Sequence, residues 1–147
     1  MCTKTILDAS LFSRFGDNEM KAWRQWIESG DGVLAYTTTG RFGRELRNNW
    51  MIRNYVFGQR RGRSALVKKP ELDEAAAELQ GREFSSNDQH VLELALASSA
   101  QVLCTGDEAL KQDFLKNLPK LRRGVYPHNA SRKAREKFLS AYRCGAG

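Results

Sequence analysis

Asp8 ends the apolar run at residues 3–7 (TKTIL), and Asp107 follows a second such run, residues 101–105 (QVLCT), by two positions. In an open parallel sheet, ligands bind in the crevice outside the carboxyl ends of the strands, so acids at the ends of two such strands face one crevice. Asp88 falls in the first turn of the apolar segment 86–99 (SNDQHVLELALASS), where a helix dipole stabilises a carboxylate. Converging carboxylates repel one another and are tolerated when a cation neutralises them, and hard oxygen ligands suit Mg²⁺ or Mn²⁺. Each acid also has a simpler role open to it. Asp8 can close the turn after its strand, Asp107 can N-cap the next helix, and Asp88 can serve the helix dipole with Ser85 or Ser86 as the cap. No histidine, cysteine or serine constellation offers a nucleophile: His90 falls on the apolar helix, His128 in a Pro-His-Asn loop, and Cys104 reads as a small buried hydrophobe. A metal-activated water is the natural attacking group.

The elements that must position these acids alternate. Residues 3–7, 33–36 (VLAY) and 101–105 read as buried strands, with Val125 in a last short one. Residues 19–29 place Met20, Trp23 and Ile27 on one helical face. Residues 70–80 open a helix with Pro70 and carry Glu71, Asp73 and Glu74 in its first turn, burying Leu72, Ala76 and Leu79. Segment 86–99 is apolar nearly all round and should be a central helix; residues 108–116 and 131–142 are further helices. Strands alternating with helices predict βαβ units, hence an α/β fold: a three-layer α/β/α domain around a central, mostly parallel sheet, in one domain spanning 1–147. The flexible stretches expected are 58–64 (GQRRGRS) and 144–147 (CGAG).

The chain carries a net charge of +7, but unevenly. Residues 41–69 hold nine Lys or Arg and one acid, Glu45, a local balance of +8, which leaves the other 118 residues at −1. Trp50, Tyr55 and Phe57 are interleaved with that basic run, a combination that follows a phosphate backbone while offering surfaces on which bases stack. The same run can instead be a solvated face whose aromatics belong to the core. Three cysteines, Cys2, Cys104 and Cys144, an odd number without CxxC spacing, indicate neither a disulfide framework nor a zinc site and suit a reducing, cytoplasmic setting. No apolar run approaches the roughly 20 residues of a membrane span, and no export signal is expected.

The strand-Asp opening ILDAS, the later NDQHVLELALASSAQVLCTGD and the closing GVYP followed by a helix resemble the PIN-domain nucleases over essentially the whole chain. The most specific part is the Asp-initiated apolar helix leading through a strand into Thr-x-Asp, with its acids 19 positions apart. The resemblance implies a parallel-sheet α/β fold that cleaves RNA with Mg²⁺ or Mn²⁺ held by Asp8, Asp88 and Asp107, with Glu45 of RELRNN as the second acid in chain order. It implies products with a 5′-phosphate and a 3′-hydroxyl, and supporting roles for Thr105 and Asn87. Where family members carry another acid a turn after the last, this chain has Leu110 and Lys111, leaving Glu108 or Asp113 to substitute. Glu45 can equally be a helical residue paired with Arg41 or Arg44. Arg41, Arg44, Arg60, Arg61 and Arg63 are the expected phosphate contacts. Relatives of this size include the toxins of bacterial toxin–antitoxin modules, implying an antitoxin partner and a homodimer. An RNA-binding adaptor with a degenerate site is the alternative. A phosphoacceptor signalling domain is a poorer one, because it pairs adjacent acids after its first strand where Asp8 stands alone.

Overall fold

A computed structural model describes residues 2–59, 63–119 and 121–144. Thr3–Leu7 forms β1, with Ile6 and Leu7 buried; such a run, apolar on both sides, belongs to a strand covered on both faces. A 3₁₀ turn (Ala9–Arg14) and α1 (Lys21–Glu28) lead to β2 (Gly32–Tyr36). Then come α2 (Gly40–Arg47), α3 (Trp50–Phe57), β3 (Ser64–Leu66), α4 (Lys69–Leu79) and α5 (Gln89–Ser98). The chain closes with β4 (Val102–Cys104), α6 (Glu108–Lys116), β5 (Gly124–Val125) and α7 (Arg132–Ser140).

The five strands are all parallel, in the order β3-β2-β1-β4-β5. Strand side chains alternate between two buried clusters. Leu7, Leu34, Val102 and Cys104 join Trp23, Ile27, Ile52, Val56 and Leu139 on one face; Ile6, Ala35 and Leu103 join Leu79, Leu92, Leu94, Leu110 and Phe114 on the other. The sheet is therefore the middle of three layers, as expected, with α1, α3 and α7 on one side and α4, α5 and α6 on the other. α2 contributes Leu46 to the first cluster and Phe42 to the second, straddling the sheet at its carboxyl end.

β3 was not read from the sequence, because its three residues are too short a run and too close to arginines to register as apolar; of the two stretches expected to be flexible, residues 60–62 and 145–147 lie outside the described residues. The reading of the cysteines is corrected. Cys2 and Cys144 form a disulfide, bridging the segment before β1 and the segment after α7, while Cys104 is free and buried as expected. An odd count hides a pair when one thiol is simply core. The cysteine count therefore gives no ground for a reducing compartment. Among the described residues no helix is long and apolar enough to cross a membrane.

Candidate active site

With the order β3-β2-β1-β4-β5, the chain winds outward in one direction from β1 and in the other from β4. The crevice between those two strands at their carboxyl ends is where such sheets bind ligands. β1 and β4 pair with Leu7 opposite Cys104, and the Asp8 amide donates to the Cys104 carbonyl at 2.9 Å. Asp8 thus stands one residue beyond β1, beside the Thr105–Asp107 turn that leaves β4.

Asp8 is buried, and one of its oxygens is fully occupied. Oδ2 accepts from the Ser10 hydroxyl at 2.6 Å, the Thr105 hydroxyl at 2.8 Å and the Ser10 amide at 3.4 Å. Thr105 also accepts from the Asp107 amide at 3.1 Å, so one hydroxyl ties the first acid to the last. The turn-capping role of Asp8 and the helix-capping role of Asp107, whose Oδ1 accepts from the Leu110 amide at 3.2 Å, are both real. Each uses one oxygen. The hydrogen bonds to Asp8 fall on Oδ2 and the capping bond to Asp107 on Oδ1, and the Asp107 carboxyl also adjoins that of Asp88, so capping holds these carboxylates in place without occupying both oxygens of either.

Asp88 is different. It precedes α5, which starts at Gln89 rather than at residue 86, and its side chain makes no capping bond. Burial raises its pKa above the ordinary carboxylate value, reinforced by the adjoining Asp107 carboxyl and the charge of Asp8. Asp8, Asp88 and Asp107 are brought together, and their mutual repulsion is resolved at Asp88.

Glu45 lies at the margin of this cluster. Its Oε1 is 2.9 Å from His90 Nε2, and Arg41 spans it and Asp88 at 3.8 and 3.6 Å while donating to the Asn87 carbonyl at 3.1 Å. Local backbone places that helix. Gly40 adopts φ +64°, and a Cβ on Gly43 would strike the Thr38 backbone, so only a glycine there lets α2 pack tightly on the turn after β2.

The other residues expected at the site take different places. Asn87 contributes its backbone carbonyl to Arg41. Glu108 pairs with Lys111 at 2.9 Å and points to solvent. Asp113 is fully buried and accepts from the Ser85 and Ser86 amides at 2.9 and 2.8 Å and from Asn117 at 2.8 Å, fixing the loop that leads to Asp88. Burial opposes its ionisation, but those donors outweigh it and hold its pKa below the usual value. Arg63 precedes β3 and so lies at the opposite, amino edge of the sheet, with its guanidinium against Gly30. Arg60 and Arg61 lie outside the described residues. Arg44 is exposed. Sequence reasoning missed Ser10 and His90 as members of the network. Ser10 had a signal, since a serine two residues after an aspartate closes an Asx-type turn; His90 had only its place two residues after Asp88.

Asp8, Asp88 and Asp107 form a cluster of carboxylates in which one acid is held above its ordinary pKa by burial and by the other two. Among the described residues no three His, Cys, Asp or Glu side chains stand in ready-made ligating positions, and the Arg41 guanidinium lies 3.6 Å from Asp88. The chain matches no protein-family model and shows no significant similarity to curated proteins or to solved structures.

Proposed function

We propose that the protein is a PIN-like endoribonuclease that hydrolyses single-stranded RNA with Mg²⁺ or Mn²⁺ held by Asp8, Asp88 and Asp107. The observation that carries this reading is the meeting of three acids, 99 residues apart at the extremes, at the switch point of a parallel sheet, with Asp88 pushed toward protonation beside the other two. A structural cluster would have no use for that repulsion.

The bound ion would lower the pKa of a coordinated water and offset charge on the phosphodiester. This chain's residues do the positioning. Ser10 and Thr105 hold Asp8 through one oxygen, leaving the other to a ligand, and the Leu110 amide holds Asp107 through one of its oxygens. Arg41, half-exposed and 3.6 Å from Asp88, would meet a substrate phosphate at the edge of the cluster. His90 orients Glu45 at the rim through a 2.9 Å contact, a pair of residue types that can carry a proton to or from a reacting oxygen.

The pairing of Glu45 with His90 and Arg41 also favours a second reading, a non-catalytic RNA-binding protein whose acid site is silenced by its own counter-ion. Incubating the protein with a fluorescent single-stranded oligoribonucleotide in Mn²⁺, Mg²⁺ or EDTA separates the two. Divalent-dependent fragments ending in 5′-phosphate, lost in Asp107→Asn, support hydrolysis. Intact RNA in both metals, with binding retained, leaves the adaptor reading.

A further inference from the structure

α3 buries Ile52 and Val56 and turns the opposite face outward. That face carries Trp50, Arg53, Asn54 and Phe57, spaced i, i+3, i+4 and i+7, so they form one stripe along the helix. Trp50 is 70% exposed and Phe57 54%, whereas Trp23 and Trp26 are buried at 0% and 5%. Met51 is also partly exposed, and the Phe57 ring meets Tyr36 edge-on at 5.6 Å, so Trp50 is the large apolar side chain left most fully in water among the described residues, an unfilled contact. Tyr55, by contrast, turns inward, with its ring on Phe15 and its hydroxyl on Glu28.

The surroundings select the occupant. No acid occurs from residue 46 to residue 70, and Arg44, Arg47 and Arg53 are exposed on α2 and α3. Arg53 and Asn54 break the apolar character of the stripe between its two aromatic rings, which suits alternating base and phosphate better than a continuous apolar protein surface. α2 joins this stripe to the acids: its first turn sets Arg41 at Asp88, and its eight residues, rising about 12 Å, end three positions before Trp50.

We infer that the outward face of α3 is a stacking platform for single-stranded RNA, with a base on Trp50 and the neighbouring phosphates on Arg53 and Arg47. This deepens the ribonuclease reading, on which the direction of the strand from Trp50 toward the carboxylates rests. Sequence-tolerant stacking on an aromatic ring combined with arginine–phosphate contact makes the platform selective for single strands over duplex, whose bases are already stacked.

Because the other two tryptophans are buried, collisional quenching by acrylamide reports Trp50. The full chain in EDTA, where nothing is cleaved, is titrated with a short oligouridylate and with a duplex RNA of equal phosphate content. Expected are quenching of Trp50 emission and its protection from acrylamide by the single strand, and neither by the duplex. Trp50→Ala should weaken oligouridylate binding about tenfold, while Trp50→Phe keeps affinity within a few-fold and abolishes the signal. Being exposed, both variants should melt with the parent. Unchanged emission at saturating oligouridylate, or wild-type affinity in Trp50→Ala, overturns the platform. So does a blue shift of Trp50 emission with rising protein concentration alone, accompanied by dimer mass in light scattering, which would assign the stripe to a protein interface. Cleavage in Mn²⁺ is measured separately: cleavage without Trp50 quenching sinks only the platform, and quenching without cleavage sinks only the hydrolytic reading.

Discussion

Asp8 divides its carboxylate between two tasks, since every hydrogen bond it accepts falls on Oδ2. Asparagine keeps that acceptor and replaces the other oxygen with an amide nitrogen. Asp8→Asn should therefore melt near the parent in EDTA and lose both Mn²⁺-induced stabilisation and cleavage. Asp8→Ala, which also orphans Ser10 and Thr105, should melt lower by about 1–3 kcal/mol. Equal melting of the two variants would mean that the Oδ2 bonds contribute nothing. Asp88 behaves in the opposite way. Its folded pKa lies above its unfolded one, so its contribution to stability is fully present below the unfolded value and is lost as pH rises through the folded value. Asp88→Asn should raise the melting temperature of the metal-free protein at neutral pH and leave it unchanged at pH values where Asp88 is protonated anyway. A loss at neutral pH that disappears on acidification would show that its pairing with Arg41 outweighs the repulsion, and a loss at every pH would assign the effect to packing. The three aspartates were legible in the sequence because each sits at an element boundary. Ser10 and His90 were not recognised, because a serine or histidine becomes part of a site only through the neighbour that folding brings to it.

Asp113 shows how one helix positions a residue on another. From α6 it holds the amides of Ser85 and Ser86, and the loop they belong to delivers Asp88 to the cluster. In Asp113→Asn an amide nitrogen must face one of those N–H groups, donor against donor. A loss of about 1–3 kcal/mol is expected, with weakened Mn²⁺ binding as Asp88 drifts. Because the Asp113 pKa is depressed, its stabilisation is present above the unfolded carboxylate pKa and is lost as pH falls through the folded value, the reverse of Asp88. Chemical denaturation of this variant and the parent from neutral to acid pH checks it: the gap should close on acidification, and a gap that persists would assign the loss to packing. Helices 108–116 and 70–80 were readable almost to the residue, since their acid-rich first turns and Pro70 are local signals. α5 starts three residues later than its apolar pattern suggested, because residues 86–88 are drawn out of the helix by Asp113 and Arg41.

At the scale of the whole molecule, the disulfide between Cys2 and Cys144 closes a loop with a sequence separation of 142. On the chain-entropy estimate, such a link stabilises by about 5 kcal/mol. Dithiothreitol, or Cys2→Ser, should lower the denaturation midpoint accordingly without altering cleavage; an unchanged midpoint would show the link to be absent in solution. The sequence by itself determined the layered α/β architecture, because the periods of its apolar residues and the order of strands and helices leave few ways to bury both faces of a sheet. It also determined that Asp8 and Asp107 would follow strands. Tertiary structure alone decided which strands are neighbours, and hence that β1 and β4 meet at the switch point and bring those acids together. It alone decided that Arg41 joins the acids while Arg63 goes to the opposite edge of the sheet, although both belong to one basic run. It likewise decided that Tyr55 turns inward while Trp50 stays in water. The physical reason is common to all of these. Periodicity specifies which face of an element is buried, but what that face meets depends on chain crossings between residues far apart, about which local spacing carries no information.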